Sequence, residues 1–357
     1  MTKFAVLLIL VFLVACSVSK TTTDFGGYEV KFSRSVILSA KGKHANNFGG
    51  ISGIDYIAED NKYLLISDDR SEKDKARAYE IALDENLSIE SLDVTYLKDR
   101  LGRDFLPKQV DPESIRYYSK NSVFWSTELS EEGPAAFISD FDAGLTKSFT
   151  LPEHIYPHQN GSAGARSNKF IEGITFSIDK KYVIFSLEAP LIQDGRVPSY
   201  TEGGRIRLLV FEASSQELVA EYFYTLDAIP ERATAEPYLS DNGVSEILMI
   251  DTKNLLVLER SGWHIGGGEF DFDNRVYSVQ IPLIDNSERR EPLGRDPINL
   301  EKTLFMRVGD FIGQQQGNLE GFTLGPNYGE RQSLLIISDN NFSSRQDTQL
   351  LEFLLKK

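Results

Sequence analysis

The sequence predicts an all-β fold, a β-propeller of four-stranded blades, from three observations: an aromatic-rich globular composition, five copies of one hairpin plan, and a spare strand at the start of the domain. Of 357 residues, 41% are hydrophobic and 25% charged, enough apolar material for a packed core and too little charge for disorder. The 22 Phe and 15 Tyr favour strands, because aromatic side chains fit a pleated, half-buried surface.

Each copy runs from a polar or acidic residue through a short apolar strand, a turn and a second apolar strand to an acidic residue. The copies begin at Ser52, Glu113, Glu172, Ser245 and Glu320. Turn formers such as Glu59-Asp60-Asn61, Asp179-Lys180-Lys181 and Pro326-Asn327-Tyr328-Gly329 separate their strands. A third strand pattern follows each hairpin, at 76–83, 135–141, 205–213, 275–283 and 348–355. A fourth follows all but the last, at 91–97, 147–152, 218–226 and 302–308. The fifth copy runs out of chain, and 28–38 supplies its missing strand from the other end, which closes a ring and hides its edges. Five blades are expected, or six if the long connections conceal a degenerate one. The copies lie farther apart than the about 40–50 residues of a minimal blade. The excess falls in connections at 153–170, 189–204, 227–243, 260–274 and 284–301, and long loops on a rigid scaffold often carry function.

Ahead of the domain, an apolar run from Phe4 to Ala15 follows a single Lys. It is short for a membrane span and suits the core of a signal peptide. Leu13-Val14-Ala15-Cys16 resembles a bacterial lipobox, which implies cleavage before Cys16 and lipidation of its thiol. The other reading is a secretory signal with a chance cysteine. Cys16 is the one Cys in the chain, so no disulfide is expected. Residues 1–15 then form a lipoprotein signal peptide, 16–27 a lipidated tether, and 28–357 the propeller. The protein is expected to be exported and lipid-anchored at the cell envelope; Ser17 after the cysteine suggests the outer membrane. A net charge of −15 argues against nucleic acid, whose phosphates call for clustered Lys and Arg.

A hairpin brings the start of its first strand beside the end of its second. The opening residues Ser52, Glu113, Glu172, Ser245 and Glu320 should therefore ring one mouth of the central channel. The closing residues Asp68, Glu128, Glu188, Glu259 and Asp339 should sit beside them. So many like charges need an offset. Bound cations, neighbouring arginines (Arg70, Arg116, Arg260, Arg345) and backbone N–H caps are the candidates. As metal ligands, Asp68, Glu113, Glu128, Glu172, Glu188, Glu259, Glu320 and Asp339 form an oxygen-only set suited to Ca²⁺, with Mg²⁺ second. Other motifs are weaker. Gly49-Gly50-Ile51-Ser52-Gly53 lacks the spacing of a serine-hydrolase elbow. Pro157 between His154 and His158 argues against a helical zinc pair.

The ordered segments Gly49-Gly50-Ile51-Ser52-Gly53-Ile54-Asp55, Ile66-Ser67-Asp68-Asp69-Arg70, Asp111-Pro112-Glu113-Ser114-Ile115-Arg116, Phe170-Ile171-Glu172-Gly173-Ile174, Leu187-Glu188-Ala189-Pro190-Leu191, Leu256-Val257-Leu258-Glu259-Arg260, Leu319-Glu320-Gly321-Phe322 and Ser338-Asp339-Asn340-Asn341-Phe342 resemble the "esterase-like activity of phytase" family. The likeness runs from about residue 48 to the C-terminus. It implies a propeller domain and a phosphoesterase-type activity. It departs from calcium propeller phytases in having no Lys-rich phosphate cleft, and so points away from phytate itself.

Two functions are expected from this. One is a Ca²⁺-assisted hydrolase of a small anionic or phosphorylated substrate. In it Glu172 or Glu320 activates water while Arg70 and Arg260 hold phosphate oxygens. The other is a non-catalytic ligand- or protein-binding propeller. In either case the protein is a monomer held to the membrane by its N-terminal lipid.

Overall fold

Apolar runs and turn chemistry place every one of the five hairpins where the sequence puts them. The computed structural model describes residues 21–25, 27–45, 47–129, 135–140, 145–282, 297–313 and 316–357. Cys16 and the signal segment lie outside the described residues. The first hairpin pairs Ile51–Ile57 with Lys62–Ser67, the second Pro112–Ser119 with Ser122–Thr127, and the third Ile171–Phe176 with Tyr182–Leu187. The fourth pairs Ser240–Met249 with Asn254–Gly266, and the fifth Asn318–Tyr328 with Arg331–Asp339.

Among the described residues each hairpin continues into its own sheet, giving five sheets, three of four strands and two of five. In the sheet of the fifth hairpin, Gln349–Lys356 is followed not by a later strand but by Tyr28–Ile37. Thr21–Phe25, inside the segment read as a tether, adds to that edge. In the sheet of the third hairpin, Ile298–Leu300 joins Leu218–Thr225 in parallel.

The first strands of the five hairpins touch one another in a closed circuit, first to second, second to third, and so on until the fifth meets the first. The unbroken apolar runs belong to the second strands, such as 64–66, 183–185, 255–258 and 334–337, because both of their faces are covered. Between sheets the core is aromatic. Phe149 meets Phe185 at 5.1 Å and Phe211 at 5.0 Å, edge to face, and all three are essentially fully buried. Each such ring contributes roughly 1.5–3 kcal/mol by burial.

One connection proves to be sheet. The stretch 260–274 continues Asn254–Gly266 into Glu269–Gln280 as one long ribbon. Gly267 and Gly268, at φ +63° and +77°, form its two-residue turn, the left-handed geometry that hairpin turns of this length require.

Candidate functional site

All five inner strands break register at the same point. The ladder slips between Ile51 and Gly53, Pro112 and Ile115, Ile171 and Gly173, Val244 and Glu246, and Leu319 and Gly321. The residues set out of register are therefore the five openers, Ser52, Glu113, Glu172, Ser245 and Glu320, with Ser114 sharing the second slip. A bulge leaves a residue unpaired and re-aims its side chain. Glycine follows three of the openers because the neighbouring inner strand passes too close for a side chain. A Cβ on Gly53, Gly173 or Gly321 would lie 2.9–3.0 Å from the next strand's backbone.

The two serines are stitches between sheets: Ser52 Oγ donates to the Pro112 carbonyl at 3.1 Å and Ser245 Oγ to that of Leu319 at 3.0 Å. The glutamates converge instead. Asp111, Glu113 and Glu128 each offer an oxygen within 4.8 Å of the others, and so do Glu128, Glu172 and Glu188. Asp68 and Asp339 face Glu320 on the other side of the ring.

Glu259 does not join them. The residues beside the bulges are Asp68 opposite Gly50, Glu128 opposite Asp111, Glu188 opposite Phe170 and Asp339 opposite Asn318. In the fourth sheet that place, opposite Gly243, belongs to Arg260, and Glu259 pairs with Val244 one residue earlier. Because strand side chains alternate, a one-residue offset puts Glu259 on the opposite face. There its carboxylate takes the Tyr224 hydroxyl at 2.5 Å, the Asp227 N–H, the Asn242 amide and the Lys302 ammonium. The closing set is thus four carboxylates and one arginine.

Three cations reach this acidic ring. Arg70 is 2.5 Å from Asp111 and bonds Asn168. Arg260 binds Glu320 and Asn318 and lies 3.9 Å from Glu188. Lys169, which sequence reasoning missed, bridges Glu188 at 2.6 Å and Asp241. Of the other two arginines, Arg345 binds the Gly267 carbonyl on the far ribbon and Arg116 lies deeper.

The counter-charge is incomplete. Glu113, Glu172 and Asp68 have no side-chain hydrogen bond among the described residues, and Asp339 Oδ2 is buried with no partner. Burial first, then mutual repulsion, pushes Glu113, Glu172 and Asp339 well above the usual carboxylate range. The same causes raise Asp68 to about 7 and Glu128 to about 8. The motif Ser67-Asp68-Asp69-Arg70 divides its labour. Asp68 faces the ring, while Asp69 accepts the N–H groups of Glu72, Lys73 and Asp74 and pairs with buried Arg77 at 2.7 Å. Gly50 makes room beside Asp68: it sits at φ +59°, and a Cβ there would come within 2.1 Å of Asp68 Oδ1.

Three residues along the second strand from Glu113, Arg116 closes the axis. It donates to the carbonyls of Ile54, Ile115, Ile174, Ile247 and Phe322, one from each inner strand, at 2.5–3.3 Å. Its counter-ion is Glu246, 3.0 Å away, which occupies the place held by glycine in three other copies. Glu246 accepts from Ser114 Oγ and from the N–H groups of Ile174 and Ile247, each at 2.9 Å. The exception to that glycine was visible in the repeat; the role of Arg116 was not.

A family model described as phytase-like, esterase-like activity of phytase, matches residues 46–342. The chain belongs to this phytase-like family. No curated protein sequence matches it. Among solved structures, a Dos1 propeller is similar at 7% identity and TM-score 0.36, covering 91% of this chain and 74% of that one. The N-terminal domain of Nup159 is similar at 9% and 0.36, covering 95% and 98%. An exo-1,5-α-L-arabinanase from a bovine ruminal metagenomic library stands at 9% and 0.41, covering 85% and 92%.

Proposed function

We propose that this phytase-like protein is a five-bladed propeller, closed by its N-terminal strand, whose acidic ring binds a divalent cation and hydrolyses a phosphoester. The observation that carries this reading is the pair of carboxylate triads sharing Glu128, in which Glu113 and Glu172 lack protein hydrogen-bond partners. Carboxylates crowded this closely, Glu113 buried and Glu172 half-buried, repel one another unless an ion joins them. All the donors are oxygens and several could act together, which fits Ca²⁺ better than the stricter geometry of Mg²⁺.

A bound ion would offset the ring's charge and polarise a substrate oxygen. Asp111, Glu113, Glu128, Glu172 and Glu188 would hold it. Arg70 also pairs with a carboxylate, Asp111, but its side chain is 41% exposed, so of the three cations it is the one placed to meet an incoming phosphate. Arg260 is already committed to Glu320, so Glu172 is the better general base of the two glutamates. The commitment of Lys169 and Arg260 to carboxylates also supports the second reading, a calcium-holding propeller that binds a ligand without turnover. Export and lipid attachment through Cys16 complete the proposal and place the domain at the envelope.

Phosphate release from p-nitrophenyl phosphate and from phytate, with added Ca²⁺ and with chelator, tests it. Turnover that needs the metal and disappears in Glu172→Gln is expected. Saturable Ca²⁺ binding with no turnover on any phosphoester leaves the binding reading and removes the hydrolase.

A further inference from the structure

Toward the turn ends of the inner strands, on the other side of Arg116 from the acidic ring, lies a cavity of about 540 Å³. That is within the about 300–1,000 Å³ of small-molecule sites. Arg116 forms part of its lining but offers it little: five carbonyls and Glu246 take up its guanidinium. The charge left facing the cavity is Asp55. Its carboxylate accepts the Tyr117 N–H at 2.8 Å and the Thr323 hydroxyl at 3.2 Å and lies 3.9 Å from Arg116. With its side chain 16% exposed and about four acceptor sites, it has capacity to spare. Burial raises its pKa, so a cation beside it would be welcome.

The walls supply the rest. Tyr56, Tyr117, Phe176 and Met249 are aromatic or apolar, and Glu59 adds an exposed negative charge at the rim. Lys180, the other cation on the wall, is held by the carbonyls of Tyr117 and Tyr118 at 3.1 and 2.9 Å. Its ammonium stands 4.8 Å over the Tyr117 ring, so this surface already seats an ammonium. An anion would meet Asp55 and Glu59, and a wholly apolar ligand would strand the Asp55 carboxylate. An amine carrying apolar groups satisfies both floor and wall.

We propose that this cavity is a binding site for a small organic cation, its ammonium seated on Asp55 and its apolar substituents against Tyr56, Phe176 and Met249. The site is independent of any metal at the acidic ring.

The test uses the full chain with choline, phenethylamine and the uncharged choline isostere 3,3-dimethylbutan-1-ol, read by calorimetry and thermal midpoint, with and without chelator. At least one cation binds saturably and raises the midpoint in both conditions, while the isostere does not. Asp55→Asn weakens binding about tenfold or more, and Glu59→Gln, an exposed change that leaves the fold intact, weakens it about twofold. Equal binding of the isostere, or no saturable binding of either amine, overturns the proposal. So does affinity that falls in Glu172→Gln and is unchanged by Glu59→Gln, because the amine is then in the acidic ring.

Discussion

Arg116 and the carboxylates a few residues above it are charges crowded near one axis, yet the protein treats them differently. The guanidinium meets a carbonyl from every inner strand and a carboxylate at 3.0 Å. Glu113 and Glu172 sit on the same strands and meet no hydrogen-bond donor among the described residues. A fully satisfied buried charge fixes a geometry, because every partner it holds would be stranded without it. An unsatisfied one stores a cost that an incoming ligand can relieve. The contrast separates the residues that hold the strands together from those available for chemistry.

Removing Arg116 should therefore have the largest effect. Arg116→Met leaves Glu246 and several carbonyls uncompensated and should cost about 3–5 kcal/mol in urea unfolding. A loss below about 1 kcal/mol would mean that Arg116 does not fix the strands. Glu172→Gln should move stability the other way. In chelator, relief of repulsion raises the unfolding free energy by about 1 kcal/mol, while the Ca²⁺-induced rise in thermal midpoint shrinks or vanishes. A variant destabilised in chelator would mean that Glu172 is held by the protein after all.

pH sharpens the same comparison. Asp68 and Glu128 keep their protons in the folded state up to about 7 and about 8, whereas the unfolded chain releases them near the ordinary carboxylate values. The folded state thus binds more protons across that interval, so metal-free stability falls as pH rises from about 4 toward 8. Saturating Ca²⁺ should flatten the fall, measured as thermal midpoint against pH. The smallest effect on metal binding belongs to Glu259→Gln. It weakens the bonds to Lys302 and Tyr224, costing about 1–2 kcal/mol, and leaves Ca²⁺ affinity unchanged by calorimetry.

Glu259 also marks where sequence reasoning stops. The hairpins, the spare strand and the five openers were legible because turns and acids recur with the repeat. The face of a residue was not, because Leu255, Leu256, Val257 and Leu258 are all fully buried. A strand covered on both sides carries no alternation to count from. The bulges carry no sequence mark beyond the glycine after three of them. Lys169 and Asp111 escaped notice because each precedes its opener, on chain that reaches the ring before the bulge. The ribbon at 260–274 read as loop from its glycines and aspartates. Phe270 and Phe272, alternating with Asp271 and Asp273, were the strand signal within it.

The pairing of Tyr28–Ile37 with Gln349–Lys356 has a consequence for the order of events in folding. Tyr28–Ile37 pairs with nearby Thr21–Phe25 on one side, but its partner on the other side is available only once Gln349–Lys356 has been made. Until then two sheet edges stand open, and contacts spanning so much sequence form slowly. A chain shortened by those eight C-terminal residues would lose the latch and expose both edges together. Once formed, Tyr28–Ile37 and Gln349–Lys356 hold each other, so neither strand can fray without loosening the other.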